Sequence, residues 1–210
     1  MIDIIDFHTH RADAIGALIA ADPRRFDPQP GRYYTVGFHP WDTVEPLTDD
    51  NFALLEQCAR HPQVLAIGET GMDALRGADQ QTQASVFVRH LQLAHELDMP
   101  VVIHSVRTSR QILDVCRYAG ITDVPLVVHG MRGNANVART WLDAGCSLCF
   151  GARFNPAALQ VTPLDRLLIE TDDAPIPIDE VAALIAGTLH LTPDDIKKTA
   201  TGNARRLLIK

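Results

Sequence analysis

Short apolar runs alternate with helical patterns along nearly the whole chain, and this alternation constrains the fold more than any other feature of the sequence. Seven runs are predicted to be strands, at about 2–8, 34–38, 64–68, 100–104, 125–129, 146–150 and 167–171. Helical patterns lie at about 12–21, 49–60, 80–98, 107–119, 134–144, 156–161, 179–189, 193–200 and 203–208. Strands that alternate with helices form parallel sheets. The sequence therefore predicts an α/β fold, a distorted TIM-type barrel with seven strands, one fewer than the complete barrel.

The length and composition of the chain predict one domain spanning residues 1–210. The chain has 210 residues, of which 46% are hydrophobic and 21% charged, as in an ordinary soluble protein with one core. No apolar run approaches the roughly 18 to 20 residues of a membrane span, and the N-terminus lacks the basic and apolar segments of an export signal. We therefore expect a cytoplasmic protein that does not bind membranes.

The charge and the placement of two residue types exclude several kinds of chemistry. The net charge of −7 argues against a basic face for non-specific binding of duplex DNA. The only lysines are Lys197, Lys198 and Lys210, so no central lysine can form a Schiff base, bind phosphate or bridge metals as a carbamate. Cys146 and Cys149 lie inside an apolar run, and we interpret them as buried core thiols rather than as metal or redox residues.

Side chains that commonly bind metals occur where the predicted strands end. Residues two apart on a strand point the same way, so His8 and His10 can reach one ion from the end of the first strand. Four other predicted strands end in a histidine or a carboxylate: Glu69, His104, His129 and Asp172. In such barrels the carboxyl ends of the strands carry the catalytic residues. Each residue alone is compatible with a hydrogen-bonded core histidine or a helix cap, but the set predicts a metal centre.

Six ligands predict two divalent ions rather than one. Histidines and carboxylates without thiolates suit Mg, Mn or Zn, and a catalytic metal keeps an open coordination position. The ligands are expected to divide into two sets, His8, His10 and Asp172 on one ion and His104 and His129 on the other. Glu69 is the expected bridge between the ions. The expected nucleophile is a hydroxide shared by both ions, with Glu69 and Asp172 as the catalytic carboxylates and Asp172 as the proton acceptor.

A further set of residues is predicted to contact the substrate or to support the ligands. Arginine matches phosphate oxygens bidentately, and four arginines follow strand ends: Arg11, Arg107, Arg132 and Arg153. Of these, Arg107 and Arg132 are assigned to substrate binding. His39, which precedes Pro-Trp, either binds substrate with them or packs. Asp73 is interpreted as a hydrogen-bond partner that orients a metal ligand, with a turn residue as the alternative.

The motifs resemble those of the TatD family of metal-dependent hydrolases, a branch of the amidohydrolase-type barrels. The matching segments are residues 6–10, 37–40, 68–73, 100–105, 165–172 and 202–207. Gly-Glu-Thr-Gly-x-Asp and Glu-Thr-Asp are the most specific of them, and together the segments cover nearly the whole chain. The resemblance implies a distorted barrel, a two-metal site formed by the six ligands, and hydrolysis of phosphodiester bonds, commonly in DNA and often from a 3′ end.

The chain also departs from the family pattern at the rim of the expected site. The usual His-Ser-Arg is here His104-Ser105-Val106-Arg107, and Thr171-Asp172-Asp173-Ala174-Pro175 runs quickly into a helix. The first expectation is a metal-dependent phosphodiesterase, a deoxyribonuclease of the TatD type, that acts on DNA or on a small phosphoester. The alternatives are a hydrolase of the same metal class that acts on an amide, lactone or other ester, and a non-catalytic descendant with a binding or scaffold role. No protein partner is predicted.

Overall fold

The computed structural model describes residues 3–208, in which eight parallel strands follow one another in a closed barrel. The strands are β1 (Asp6–Thr9), β2 (Ala17–Ala21), β3 (Tyr33–Val36), β4 (Val64–Asp73), β5 (Val101–Val106), β6 (Leu126–Val128), β7 (Ser147–Phe150) and β8 (Leu167–Ile169). The predicted TIM-type barrel is confirmed, but the predicted number of seven strands is wrong. The first predicted strand began at Ile2, which lies outside the described residues.

The strand missing from the prediction is β2, which lies in the stretch predicted to be a helix at 12–21. Three of its five residues are alanine, the best helix former, and so short an apolar run does not separate a strand from a helix. The strand follows Gly16, whose φ of +66° suits glycine, and it pairs with β1 so that Asp6 lies opposite Ala17. A one-turn 3-10 helix, Pro23–Arg25, comes directly afterwards. Gly16 and this 3-10 helix therefore bound the strand on both sides.

The described residues form seven α-helices that alternate with the later strands. They are α1 (Asp49–Ala59), α2 (Gln80–Leu97), α3 (Ser109–Ala119), α4 (Ala135–Asp143), α5 (Pro156–Gln160), α6 (Ile178–Leu189) and α7 (Pro193–Leu208). Side chains of Thr48, Asp79 and Asn134 accept backbone N–H groups at the starts of α1, α2 and α4, as N-caps do. Helix α7 is continuous through Gly202, where two separate helices were predicted.

The chain packs as two compact units, one formed by residues 1–19 with 127–210 and the other by residues 20–126. In the first unit β1 pairs with β8, β7 pairs with β6 and β8, and α7 packs against α6 and β8. In the second unit β4 pairs with β3 and β5, and α2 packs against β4. The single domain over the whole chain stays a prediction.

Strand β4 is the longest strand of the second unit, and its sequence sets how closely β5 approaches. A Cβ atom added to Gly71 would lie 2.2 Å from the backbone oxygen of His104, and Gly71 has a φ of +139°. Only glycine permits this close approach and this backbone conformation. Because Gly71 lies beside His104 in the register of the two strands, the glycine helps to bring His104 to the side chain of Glu69.

The structure also answers the expectations about membrane spans and cysteines. Within residues 3–208, no helix combines the length and the apolar character that crossing a membrane requires. Cys146 and Cys149 are both buried, and burial raises the pKa of Cys149 well above its usual value. The prediction that they are buried core thiols is confirmed.

Candidate metal centre

The first candidate cluster consists of His8 and His10, at the end of β1, and Asp172, three residues after β8. All three lie in the first unit. Asp172 donates its backbone N–H to the His8 oxygen at 2.9 Å, and His10 donates its N–H to the Asp172 oxygen at 3.2 Å. These bonds place Nε2 of His8 and of His10 at 3.9 and 3.6 Å from Asp172 Oδ1. His8 is fully buried, whereas about half of the His10 side chain is exposed. The three side chains predicted to share one ion are thus brought together.

His129 and Glu170 extend this first cluster. The rings of His8 and His129 are 4.2 Å apart between centroids, and Nδ1 of His129 lies 3.8 Å from Oε1 of Glu170. Glu170 is fully buried, and the same oxygen accepts the Gly130 N–H at 2.6 Å. Donor atoms of His129, Glu170 and Asp172 all lie within 4.8 Å of one another. Glu170 was not predicted from the sequence, although its position directly after three apolar strand residues is a signal for such a role.

Asp6 anchors the backbone that carries this cluster. Its carboxylate accepts the Thr171 N–H at 2.9 Å and the Thr171 hydroxyl at 2.6 Å, next to Asp172 in the chain. Burial raises the pKa of Asp6 to about 6, and the hydrogen bonds from Thr171 limit the rise. This buried link fixes β8 against β1 at the point where the candidate ligands emerge.

The second candidate cluster lies in the other unit and consists of His39, Glu69 and His104. Oε1 of Glu69 lies 2.7 Å from Nδ1 of His104 and 3.1 Å from Nε2 of His39, and the two imidazole nitrogens are 3.1 Å apart. Glu69 is 5% exposed. The strand predicted to end at residue 68 continues as β4 to residue 73, so Glu69 is an inward-facing residue within a strand rather than a strand-end residue.

Asp73 fixes the orientation of His104. Its Oδ2 lies 3.3 Å from Nε2 of His104 and accepts the indole N–H of Trp41 at 2.7 Å, while its Oδ1 accepts the Leu75 N–H at 2.7 Å. Burial opposes ionisation, but these hydrogen bonds outweigh it and lower the pKa of Asp73. A proton on Nε2 of His104 leaves a lone pair on Nδ1, which faces Glu69. The geometry therefore fits the predicted orienting role.

His39 carries its proton on the same ring nitrogen as His104, but it turns that nitrogen toward the second cluster. Its Nδ1 accepts the Trp41 backbone N–H at 3.1 Å, so in the neutral ring the proton lies on Nε2. Although donor atoms of His39, Glu69 and His104 are close enough for one ion, His39 therefore faces the cluster as a hydrogen-bond donor. The lone pairs come from Glu69 and His104. This fits a contact of His39 with substrate better than ligation of a metal.

His90 hydrogen-bonds to the backbone of Phe38, the residue before His39. It was not predicted from the sequence. This fully buried residue of α2 accepts the Phe38 N–H with Nε2 at 2.9 Å, and its Nδ1 lies 2.8 Å from the Val86 oxygen. Burial lowers the pKa of His90 to about 4, so the ring is neutral near pH 7. A histidine on an amphipathic helix resembles a surface residue in sequence, which is why its role was missed.

The two arginines assigned to substrate binding differ in their surroundings. Nη2 of Arg132 lies 3.4 Å from Oδ2 of Asp172, and about half of the Arg132 side chain is exposed, so its guanidinium borders the first cluster. Arg107 is exposed directly after β5, with a φ of +59°. Both assignments stay predictions.

Asp73→Asn is expected to lower the affinity of the second cluster for a divalent ion by roughly 10- to 100-fold, as is usual when a partner of a ligating histidine is changed. The amide has no charge to stabilise the proton on Nε2 of His104. Competition with a metal-sensitive dye measures this affinity, and Asp123→Asn, at an exposed carboxylate paired with His95, is the control. Equal affinity in the variant and the wild type would contradict the orienting role.

The fold and the chemistry of both clusters suit metal ions. Each cluster presents imidazole nitrogens and carboxylate oxygens from strand residues or from residues near strand ends, and groups of three of its donor atoms lie within 4.8 Å of one another. Such sets bind Zn, Mn or Mg. A barrel with these donors belongs to the class of metal-dependent hydrolases.

Comparison with known proteins gives the family within this class. A family model described as TatD related DNase matches residues 26–209, and the chain belongs to this TatD family. It is 32% identical over 200 residues to a TatD metal-dependent hydrolase of Mycobacterium tuberculosis, covering 83% of this chain and 75% of that protein. It is 28% identical over 200 residues to a 3′-5′ ssDNA/RNA exonuclease TatD of Erwinia billingiae, covering 82% and 76%. The chain is thus a metal-dependent hydrolase.

Solved structures show the same fold. The crystal structure of YjjV, a TatD homologue from Escherichia coli, superposes with a TM-score of 0.82 at 24% identity and covers 99% of both chains. A TatD-family hydrolase from Entamoeba histolytica gives a TM-score of 0.78 at 15% identity, with 99% of this chain and 98% of that one covered. At these identities the likeness concerns the barrel alone.

Proposed function

We propose that this chain is a two-metal phosphodiesterase, a deoxyribonuclease of the TatD type that shortens single-stranded DNA from an end. The observation that carries the proposal is the pair of histidine and carboxylate clusters, in each of which ligand atoms of three residues lie within 4.8 Å of one another. The name of the relative from Erwinia billingiae, a 3′-5′ ssDNA/RNA exonuclease, supports a nucleic-acid substrate and a 3′ end. The acidic chain, with a net charge of −7, suits short or end-bound strands rather than long duplexes. A cytoplasmic location stays a prediction.

In this proposal the ligands divide between two ions of Mg, Mn or Zn. The six ligands are those predicted from the sequence: His8, His10, Glu69, His104, His129 and Asp172. The grouping of His8 and His10 with Asp172, and of Glu69 with His104, supports part of this division. His129, predicted to share the ion of His104, lies instead in the first cluster beside His8 and Glu170. When bound, such ions polarise a phosphodiester and make coordinated water acidic. The sharing of Glu69 by both ions stays a prediction from the sequence.

The side chains around these ligands have separate proposed tasks. The Asp172 carboxylate is the proposed acceptor of the proton that the attacking water loses. Arg132, 3.4 Å from that carboxylate, neutralises charge on the phosphate, and Arg107 is proposed to assist. His39 donates from Nε2 to a phosphate oxygen. Asp73 and His90 hold His104 and the end of β3 in position, which keeps the donors oriented before substrate arrives.

Removal of metal is expected to abolish the activity, and its return is expected to restore it. The substrate is a single-stranded DNA oligonucleotide labelled at its 5′ end, incubated with chelated protein and with protein reloaded with Mg, Mn or Zn. Stepwise shortening of the labelled strand shows digestion from the 3′ end. His104→Ala, which removes a proposed ligand, should give no shortening, whereas the exposed helix residue His95 can be replaced by alanine as a control.

Three outcomes separate the competing functions. Cleavage by the reloaded wild type and none by His104→Ala supports the nuclease. Two bound ions without cleavage of DNA would contradict it, and turnover of neutral esters, lactones or amides would then favour another hydrolase activity. Equal cleavage by chelated and reloaded protein would contradict the metal-dependent mechanism itself.

A further inference from the structure

Trp41 is an exposed aromatic side chain that contacts the second cluster. Its ring is 4.7 Å from that of His39 and 6.0 Å from that of His104, between centroids, and the residue is 46% exposed. The other tryptophan of the chain, Trp141, is 1% exposed and is explained by core packing. Burial of a large aromatic side chain is favourable, so core packing does not explain the exposed ring of Trp41.

The ring of Trp41 is held in a fixed position. Its indole N–H donates to Oδ2 of Asp73 at 2.7 Å, and its backbone N–H donates to His39. The guanidinium carbon of Arg76 lies 4.4 Å from the ring centroid, within the range of a cation–π contact. The Trp41–Arg76 pair is therefore an ordered surface, with an aromatic ring and a cation next to a candidate metal cluster.

The loop that carries Arg76 is also held from inside the protein. The buried side chain of Gln83 accepts the Asp73 N–H at 2.7 Å and donates to the backbone oxygens of Arg76 at 2.9 Å and Ala78 at 2.7 Å. Asp73 accepts the Arg76 N–H at 3.2 Å. The same carboxylate thus positions His104, Trp41 and the loop. Asp73 therefore holds the aromatic ring of Trp41 at a fixed distance from the second cluster.

We propose that the Trp41–Arg76 pair is a stacking site for one unpaired base of single-stranded nucleic acid, that of the nucleotide whose phosphate lies at the second cluster. This inference rests on the proposed phosphodiesterase function. Bases stack on aromatic side chains in proteins that bind single strands, and arginine adds a cation–π contribution and a phosphate partner. A paired base in a duplex keeps its faces covered by neighbouring bases, so the site selects unpaired ends.

The Trp41–Arg76 pair is expected to show little preference among the four bases. The one polar group of the indole, its N–H, is already bonded to Asp73, so the ring presents only a π surface. Every base has a π face, and stacking alone discriminates weakly among bases. The Trp41–Arg76 pair therefore binds the strand without reading its sequence.

Binding of each probe is measured by the fluorescence anisotropy of a dye at its 5′ end, because this readout does not depend on Trp41. In the wild type, quenching of tryptophan emission also reports contact with Trp41, above the constant emission of the buried Trp141. The probe is a single-stranded phosphorothioate oligothymidylate, which resists cleavage, titrated into metal-loaded protein. A matched probe lacks the two bases nearest its 3′ end. We expect the complete probe to quench the emission of the wild type. Trp41→Ala should weaken its binding roughly 10- to 100-fold, with a smaller loss in Trp41→Phe. The abasic probe should bind the wild type and Trp41→Ala equally.

The control is Tyr118→Ala, since Tyr118 is an aromatic residue that is 93% exposed in the last turn of α3, away from the carboxyl ends of the strands. It should bind both probes as the wild type does. Equal weakening of both probes by Trp41→Ala would show a structural role and overturn the stacking site, as would unchanged binding or no binding by the wild type.

The cleavage assay separates this proposal from the function on which it rests. Cleavage of DNA by the wild type, with equal effects of Trp41→Ala on complete and abasic strands, would overturn the stacking site and leave the nuclease in place. Base-dependent binding that Trp41→Ala weakens, without cleavage under any metal, would support the stacking site and contradict the nuclease.

Discussion

Glu69→Ala is expected to lose all metal-dependent cleavage while it retains the fold. The carboxylate lies 2.7 Å from Nδ1 of His104 and 3.1 Å from Nε2 of His39, and no other described carboxylate shares the candidate cluster with both residues. Its removal leaves one lone-pair nitrogen and one N–H at the position proposed for an ion, too few donors to hold it. The expected loss of cleavage is therefore larger than for any substitution outside the two clusters.

Metal analysis of the same variant tests the role of Glu69 directly. Loss of one ion per chain indicates that Glu69 serves only the second cluster, and loss of both indicates the predicted bridge. Glu56→Ala, on the exposed face of α1 where Glu56 pairs with Arg60, is the matched control and should retain both ions. Wild-type cleavage by Glu69→Ala would contradict the proposed centre, whatever its metal content.

Acidification is expected to lower the free energy of unfolding because of His90, with the loss concentrated between about pH 6.5 and pH 4. The folded protein keeps His90 neutral down to its pKa of about 4, whereas the unfolded chain takes up a proton near the ordinary value of 6.5. The unfolded state therefore binds more protons in this interval, so stability falls as the pH falls. The difference in pKa corresponds to about 3 kcal/mol for this residue.

Urea unfolding at a series of pH values measures this contribution. His90→Gln keeps an acceptor and a donor but does not titrate, so its stability should fall less between pH 6.5 and pH 4 than that of the wild type. His95→Gln, an exposed residue of the same helix, is the control and should follow the wild type. A His90→Gln profile parallel to that of the wild type would contradict the assignment.

The sequence predicted the barrel because buried parallel strands and amphipathic helices have different periodicities. It failed at β2, where five residues rich in alanine carry no periodicity and only the turns at either side define a strand. It also divided α7 at Gly202, although one glycine costs a helix only about 1 kcal/mol and the buried residues Ala200, Asn203 and Ala204 hold this helix together by packing.

The candidate ligands could be predicted because a histidine or a carboxylate in or beside a buried strand needs a hydrogen-bond partner or a metal. Two buried residues of the site, Glu170 and His90, were not predicted, since their roles depend on contacts between distant parts of the chain. Glu170 accepts a hydrogen bond from Gly130, 40 residues earlier, and His90 accepts one from Phe38, 52 residues earlier. Neither pairing leaves a spacing that can be read from the sequence.

The backbone bonds between Asp172 and the end of β1 have a consequence for assembly of the protein. Thr9 and Asp172 are 163 positions apart, so the first cluster forms only when the segment around residues 8–10 has reached Asp172. The second cluster is complete within residues 39–104. Closing so long a loop carries an entropic cost that local contacts do not. An ion bound by His8, His10 and Asp172 would favour the closed chain by mass action, so metal supply would contribute to folding yield as well as to catalysis.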